Sequence, residues 1–552
     1  MLLLKINNFN NMKNIIYISL SILYFLFVSC NDFLDRKPLD KMTEEDVFND
    51  DALLIAYVNA CYNAYPSGFE EAMMSSTTDE TYTRHGKESS VIVSRGEMTP
   101  DNITIFDSGR FSNFNYWEKA YEYLRNVNTY FEKIDDANVS EVLKNRLTGE
   151  MKFIRAFIYS NLIWRFGGVP IITRSYDLNE TDYSMQRNTY DQCVDFILTD
   201  LAEAIENLPD KMEGAHSGRA SADACKALRA RILLYAASPM NNPGNDKIKW
   251  EKARDASLEV MNLPGYELSD NYRDIFLEKN NREVIFKREY TKANGHRMNL
   301  FNSPNGFDGW GGNCPLQNLV DDYEMKATGK RPIEEGSGYD STHPYEGRDP
   351  RFYASVLYNG AIYRGREVEV FIPKGKDSSE GDVGSWNTSL TGYYLYKFMD
   401  ESQLLSETNT QPWVFFRLAE FYLNYAEAQY HLGNEAECRD AINIVRRRKG
   451  VEMPLVTESG SKLMERLYNE RRIELSFENH RYFDLRRWLI AEFYENIDAM
   501  GVQVIKKDDG IFKYNSITVL ERKFLPQHYL LPIPRAEILK SKNTLVQNPQ
   551  YE

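Results

Sequence analysis

The stretch Glu465 to Trp488, ERLYNERRIELSFENHRYFDLRRW, constrains this chain more than any other. It lacks glycine and proline and is rich in strong helix formers, so it predicts helix over most of its length. Glu470, Glu474 and Glu478 recur every four residues, which on a helix stacks three carboxylates on one stripe. Alone, that stripe destabilises. Arg471, three residues before Glu474, and Arg481, three after Glu478, are available as local partners. Ile473 and Phe477 supply a neighbouring apolar stripe that Tyr482, Phe483, Leu485 and Trp488 extend. A glycosidase acid/base pair would need one carboxyl raised by an apolar pocket. Arg471, Arg472, Arg481, Arg486 and Arg487 crowd the segment instead, and nearby cations lower carboxylate pKa values. The expectation is an ion-pair network that clamps this helix to its neighbours.

The chain has 552 residues, enough for a sizeable core, and 42% apolar with 27% charged residues is ordinary globular composition. A net charge of −15 argues against a general nucleic-acid binder, which would carry a basic footprint. Aromatic residues make up 13%, a surplus that leaves rings for recognition surfaces. The six cysteines show neither CxxC nor zinc spacing. Those after Cys30 read as small buried apolar residues rather than a disulfide framework.

At the N-terminus, Lys13 precedes the apolar run IIYISLSILYFLFVS and then Cys30. A positive start, an apolar run of this length and a small residue before the break predict a signal peptide over residues 1–29. Thr43 then opens a helix as N-cap, with Glu44, Glu45 and Asp46 in its first turn.

Helical periodicity recurs at 51–65, 117–131, 152–166 (stopped by Gly167-Gly168-Val169-Pro170), 190–207, 219–237 and 249–262. Two further helices, broken at Gly433-Asn434, lie between Phe415 and Lys449. There Ala426, Gly433, Cys438 and Ile442 fall near the packing positions of a 34-residue tetratricopeptide unit. Helix pairs in this number favour a helical repeat scaffold.

Several of these segments carry a resemblance. NERRIELSFENHRYFDLRRW is similar to the C-terminal signature of the SusD/RagB family of surface nutrient-binding lipoproteins. RAFIY at Arg155 with GGVP at Gly167, GRASADACKALRARILLYAASP from Gly218, FRLAEFYLNYAEA from Phe416 and the closing Gln527–Tyr551 resemble family motifs in family order. The resemblance implies a mostly α fold, a tetratricopeptide-like helical repeat scaffold with a large irregular loop-rich lobe carrying minor β. In this chain it implies an N-terminal helical region over 30–290, the lobe at 291–400 and a C-terminal helical region over 401–552. It also implies that Phe27-Val28-Ser29-Cys30 is a lipobox. Cys30 would then be lipidated, and Asp32 and Asp35 would direct export to the outer face of the outer membrane.

The lobe at 291–400 is rich in Gly, Pro, Asn and Asp, and so long a loop-rich stretch in a folded protein is usually functional. Asn305–Pro315, NGFDGWGGNCP, sets Phe307 and Trp310 on a glycine-rich loop. Thr391–Phe398 predicts a strand from its aromatic content. Sugar rings present apolar C–H faces, so flat rings beside hydrogen-bonding groups suit them. Trp310 is the best platform candidate, with an inward-packed loop anchor as the competing reading. The early loop 75–102 brings Asp79, Tyr82, Arg84 and His85 together. The resemblance implies a ligand edge built from such early and middle loops, with Asp79 and Arg84 hydrogen-bonding the ligand.

The histidines at 85, 216, 296, 343, 431, 480 and 528 include no HExxH, and neither a GxSxG elbow nor a Walker loop occurs. No cofactor or metal is expected and no catalytic machinery is evident. The resemblance implies capture of an oligosaccharide and delivery to a SusC-like TonB-dependent outer-membrane transporter. A peptide-capturing relative and a surface glycoside hydrolase are the alternatives.

Overall fold

Glu470, Glu474 and Glu478 do not share one helix. The computed structural model describes residues 44–85, 87–106, 113–176, 180 and 182–551. In it the first helix of the signature stretch runs Ser461–Glu474 and stops. A turn with Phe477 and Asn479 at positive φ (64° and 66°) leads into a short second helix, Arg481–Arg487. The expected near-continuous helix is corrected accordingly. The turn has a purpose that local propensity cannot express, since it aims charges inward from two directions.

Nor are Arg471 and Arg481 the partners of those glutamates. Glu470 pairs with Arg351 (2.5 Å) and Arg446 (2.7 Å). Glu474 takes Arg351 (2.9 Å), Arg417 (2.7 Å) and Arg448 (2.8 Å). Glu478 takes Arg417 and Lys397, both at 2.7 Å. Arg471 turns to Asp484 instead, and Arg481 to Asp79. Every member of this network is buried. Burial raises Glu474, but Arg448, Arg417 and Arg351 outweigh it and hold the carboxyl below the usual carboxylate range. The clamp predicted from charge placement is present, built from partners distant in sequence.

The described chain falls into two units, residues up to Tyr57 with Ala137–Val139, and Val58–Asp136 with Ser140–Glu552. Helix α1 (Glu44–Phe48) belongs to the first, and α2 (Asp51–Cys61) begins there. Phe48 and Tyr57 pack their rings 5.7 Å apart. Thr43 and Cys30 lie outside the described residues.

The larger unit holds α3 (Trp117–Lys133), α4 (Glu141–Phe166), α5 (Tyr190–Asn207), α6 (Ala222–Ala237) and α7 (Lys247–Met261). It continues with α8 (Leu418–Leu432), α9 (Glu435–Arg446), α10 (Ser461–Glu474) and α11 (Arg481–Arg487). Capping fixes the starts. Ser140 accepts from Leu143 N–H, Ser221 from Ala224 N–H, and Thr189 forms a full capping box with Gln192. Gly433, at φ 89°, ends α8 in the left-handed conformation that a side chain resists.

Successive helices pack in pairs, α4 on α5, α6 on α7 and α8 on α9, with α7 also against α8. Ala426, Cys438 and Ile442 are fully buried between α8 and α9, beside Leu463 and Leu467 of α10. The chain is thus mostly helical with a tetratricopeptide-like scaffold. Cys61, Cys193, Cys225, Cys314 and Cys438 are free and buried. Among the described residues, no helix is long and apolar enough to cross a membrane.

Strands are few and form two-stranded antiparallel ladders. Val284–Arg288 pairs with Trp413–Arg417 deep in the body, and Tyr394–Leu395, the core of the strand expected at 391–398, pairs with Val356–Leu357. The region 401–552 also carries a hairpin that the helical expectation passes over: Ala499–Lys506 pairs with Phe512–Leu520 around Gly510 at φ 84°. Asp509-Gly510 between alternating apolar residues is its sequence signal.

Candidate functional site

One small ladder assembles the candidate surface. Thr81–Thr83 pairs antiparallel with Asn313–Pro315, Thr83 opposite Asn313 and Tyr82 opposite Cys314. This joins the early loop to the glycine-rich middle loop, so Arg84 and His85 emerge beside Trp310. Arg84 N–H donates to Gly312 O (3.3 Å), and His85 Nε2 lies 2.7 Å from Trp310 O.

Trp310 is half-buried, its ring 5.6 Å from His85 at 51° and 5.3 Å from Phe301 at 38°. Its own N–H donates to Leu300 O (2.8 Å), and Gly311 and Gly312 donate to Ser303 O and Phe301 O (3.0 and 2.8 Å). The glycines are demanded by close approach. A Cβ on Gly311, at φ 52°, would stand 2.3 Å from Asn387 O.

That contact introduces the residue the sequence reading missed. Trp386 lies one position before Asn387 and is 73% exposed. Its loop is tied down on both sides. Arg84 Nη1 donates to Thr388 O (2.7 Å), and Asn305 Nδ2 reaches Gly384 O and Thr388 Oγ1 (both 3.4 Å). The sequence around it, GSWNTS, is glycine- and serine-rich like the GWGG at Trp310, and that was the available signal. Exposed tryptophans of this kind are informative, since large rings normally bury.

The other expected residues divide. Arg84 belongs to the surface and braces its loops. Tyr82 packs with Leu316, Ala499 and Leu520, and burial raises its phenol. Phe307 turns inward, edge-on to Tyr363 at 5.0 Å and under the Arg366 guanidinium at 3.6 Å, so it anchors its loop rather than forming a platform. Asp79 is 2% exposed, with one oxygen 2.9 Å from Arg481 Nε and the other 2.8 Å from Arg481 Nη2 and 2.9 Å from Arg472 Nη2. Burial raises its carboxyl, and Arg472 and Arg481 outweigh that to hold it below the usual range. Its expected contact with ligand gives way to a structural role, because both oxygens are spent on buried guanidiniums. Neighbouring Glu80 is equally buried but poorly paired, and burial pushes it up to about 8.

Among the described residues, no cluster of His, Cys, Asp and Glu could hold a metal ion. What the geometry offers is Trp310, His85 and Arg84 together on loops that are tied to the loop bearing the exposed Trp386, on a helical repeat body.

The chain matches two family models. Residues 282–551 match the SusD family, and residues 32–234 match a family described as starch-binding associating with outer membrane. A SusD-like protein from Bacteroides fragilis of known structure is 30% identical, with 94% of this chain and 100% of that chain covered and a TM-score of 0.78. A SusD-like carbohydrate binding protein from the same species is similar in fold, at 24% identity, 90% and 99% coverage and a TM-score of 0.76. A SusD-like protein of Bacteroides ovatus is 24% identical over 550 residues, covering 92% of this chain and 90% of that protein. The chain belongs to the SusD/RagB family.

Proposed function

We propose that this protein captures an oligosaccharide at the surface carried by Trp310 and Trp386 and hands it to a SusC-like TonB-dependent outer-membrane transporter. In this reading it works from the cell surface, anchored through lipid on Cys30, and turns nothing over. The observation that carries the reading is Trp386, 73% exposed on a loop held by Arg84 and close against Gly311, next to Trp310 in sequence. Exposed rings accept the C–H faces of a sugar, while Arg84 supplies hydrogen bonds at its edge and His85 holds the Trp310 backbone in place. Family membership and the carbohydrate-binding description of a structural neighbour support the ligand class.

The test is a screen of the chain from residue 31 onward against plant, host and microbial glycans and a peptide pool, with chromatography of each mixture. Retention of one glycan without new products, weakened at least tenfold in Trp386→Ala, is the expected result. Shorter sugars in the mixture would make the protein a glycoside hydrolase, and retention of peptides alone would change the ligand class.

A further inference from the structure

A cavity lies on the helical body and shares no residue with the loop surface. It encloses about 570 Å³ between α3, the segments 172–176 and 183–185, and the C-terminal tail at 537–545. That volume suits a small ligand. Its wall is mostly apolar, formed by Trp117, Tyr121, Leu124, Ile172, Tyr176 and Tyr183. The Tyr176 and Tyr183 rings stand 5.7 Å apart at 49°, and Tyr183 is 37% exposed.

Several polar groups break the apolar wall; among them Arg174 is paired with Glu180 and lies over the Tyr176 ring at 4.2 Å, and Ser541 and Glu537 stand on the tail side. Asn128 is fully buried and lines the cavity. Its amide nitrogen donates to Ile172 O (3.0 Å) and Arg174 O (3.1 Å), which fixes the side-chain orientation. Its carbonyl oxygen then has no hydrogen-bond partner among the described residues. A buried acceptor left unmade is costly, so this oxygen is a prepared seat for a donor. At the rim stand Arg125 and Lys540. Lys540 is paired with Glu537 (2.6 Å), but the exposed Arg125 guanidinium has no ion-pair partner among the described residues.

An acceptor at the wall, an aromatic waist and a cation at the rim specify a ligand with three matching parts. We propose that this cavity is a second ligand site, one that takes a small aryl carboxylate bearing a ring hydroxyl. The hydroxyl donates to Asn128 Oδ1, the ring lies among Tyr176, Tyr183 and Trp117, and the carboxylate faces Arg125. A free sugar acid fits less well, because its several hydroxyls would meet apolar wall and lose their water without replacement.

The assignment is tested by calorimetric titration of the protein from residue 31 onward with 3-(4-hydroxyphenyl)propionate, 3-phenylpropionate and glucuronate. The expected result is one-to-one binding of the hydroxylated acid, about tenfold tighter than 3-phenylpropionate, as one hydrogen bond near 1.4 kcal/mol implies. Arg125→Ala and Tyr183→Ala, both at exposed positions, should each weaken it at least threefold without changing the melting temperature. Equal affinity for the two aryl acids, no binding at millimolar concentration, or binding of glucuronate alone would overturn the assignment. So would a signal untouched by both cavity variants but reduced in Trp386→Ala, which would place the ligand at the loop surface.

Discussion

Replacing Asp79 with alanine leaves Arg481 and Arg472 buried without the carboxylate that both contact. Arg472 retains Asp322, whereas Arg481 loses its only ion-pair partner among the described residues. Breaking a buried pair by removing one member costs about 3–5 kcal/mol, because a charge is stranded in low dielectric. For 552 residues, an unfolding entropy of about 2.1 cal/mol/K per residue amounts to about 1.2 kcal/mol/K. The expected fall in melting temperature is therefore about 3–4 °C at pH 7, read by calorimetry or circular dichroism. The sign with pH follows from the lowered carboxyl. Asp79 contributes fully above its unfolded pKa near 3.9 and loses that contribution as pH falls toward its folded value. Wild type and variant should thus converge in strong acid. An unchanged melting temperature together with lost glycan binding would refute this reasoning and return Asp79 to the ligand surface.

Glu80 should behave in the opposite sense. Its carboxyl is raised to about 8 by burial, so above an unfolded pKa near 4.3 it costs stability at about 1.4 kcal/mol per pH unit until about pH 8. Glu80→Gln should match wild type near pH 4 and exceed it by several kcal/mol at pH 9 in urea unfolding, on the order of 3–5 kcal/mol by the same linkage; parallel curves would count against it. Gly311→Ala should push the Trp310 and Trp386 loops apart, since its Cβ would stand 2.3 Å from Asn387 O. Glycan affinity should fall about tenfold with the melting temperature within about 2 °C of wild type, given that the strain is local. Cys30→Ala should move the protein from the membrane fraction to the soluble fraction on cell fractionation; retention in the membrane would contradict lipid anchoring.

Much of the scaffold was legible in the chain because its signals are local. Periodicity placed α3 and α5 nearly to the residue, and Gly433 marked the break between α8 and α9. Charge crowding announced an ion-pair clamp, since so many buried arginines and glutamates can only satisfy one another. The site was legible in part. GWGG marked Trp310 as a ring on a glycine loop, and the early loop was singled out with Arg84 and His85.

Tertiary structure decided the rest. Glu474 meets Arg351 and Arg417, residues 123 and 57 positions away, because helices and strands far apart in sequence converge on one buried point. No window of sequence reports that distance. Local spacing offered Arg471 and Arg481 instead, and both turned to aspartates. Solvent direction was equally hidden. Phe307 and Trp386 both sit on polar loops, yet one packs beneath Arg366 and the other stands 73% exposed. Sequence fixes which residues can form helices and which charges must pair. Only the assembled fold fixes which face of a loop remains in water, because that depends on what arrives beside it.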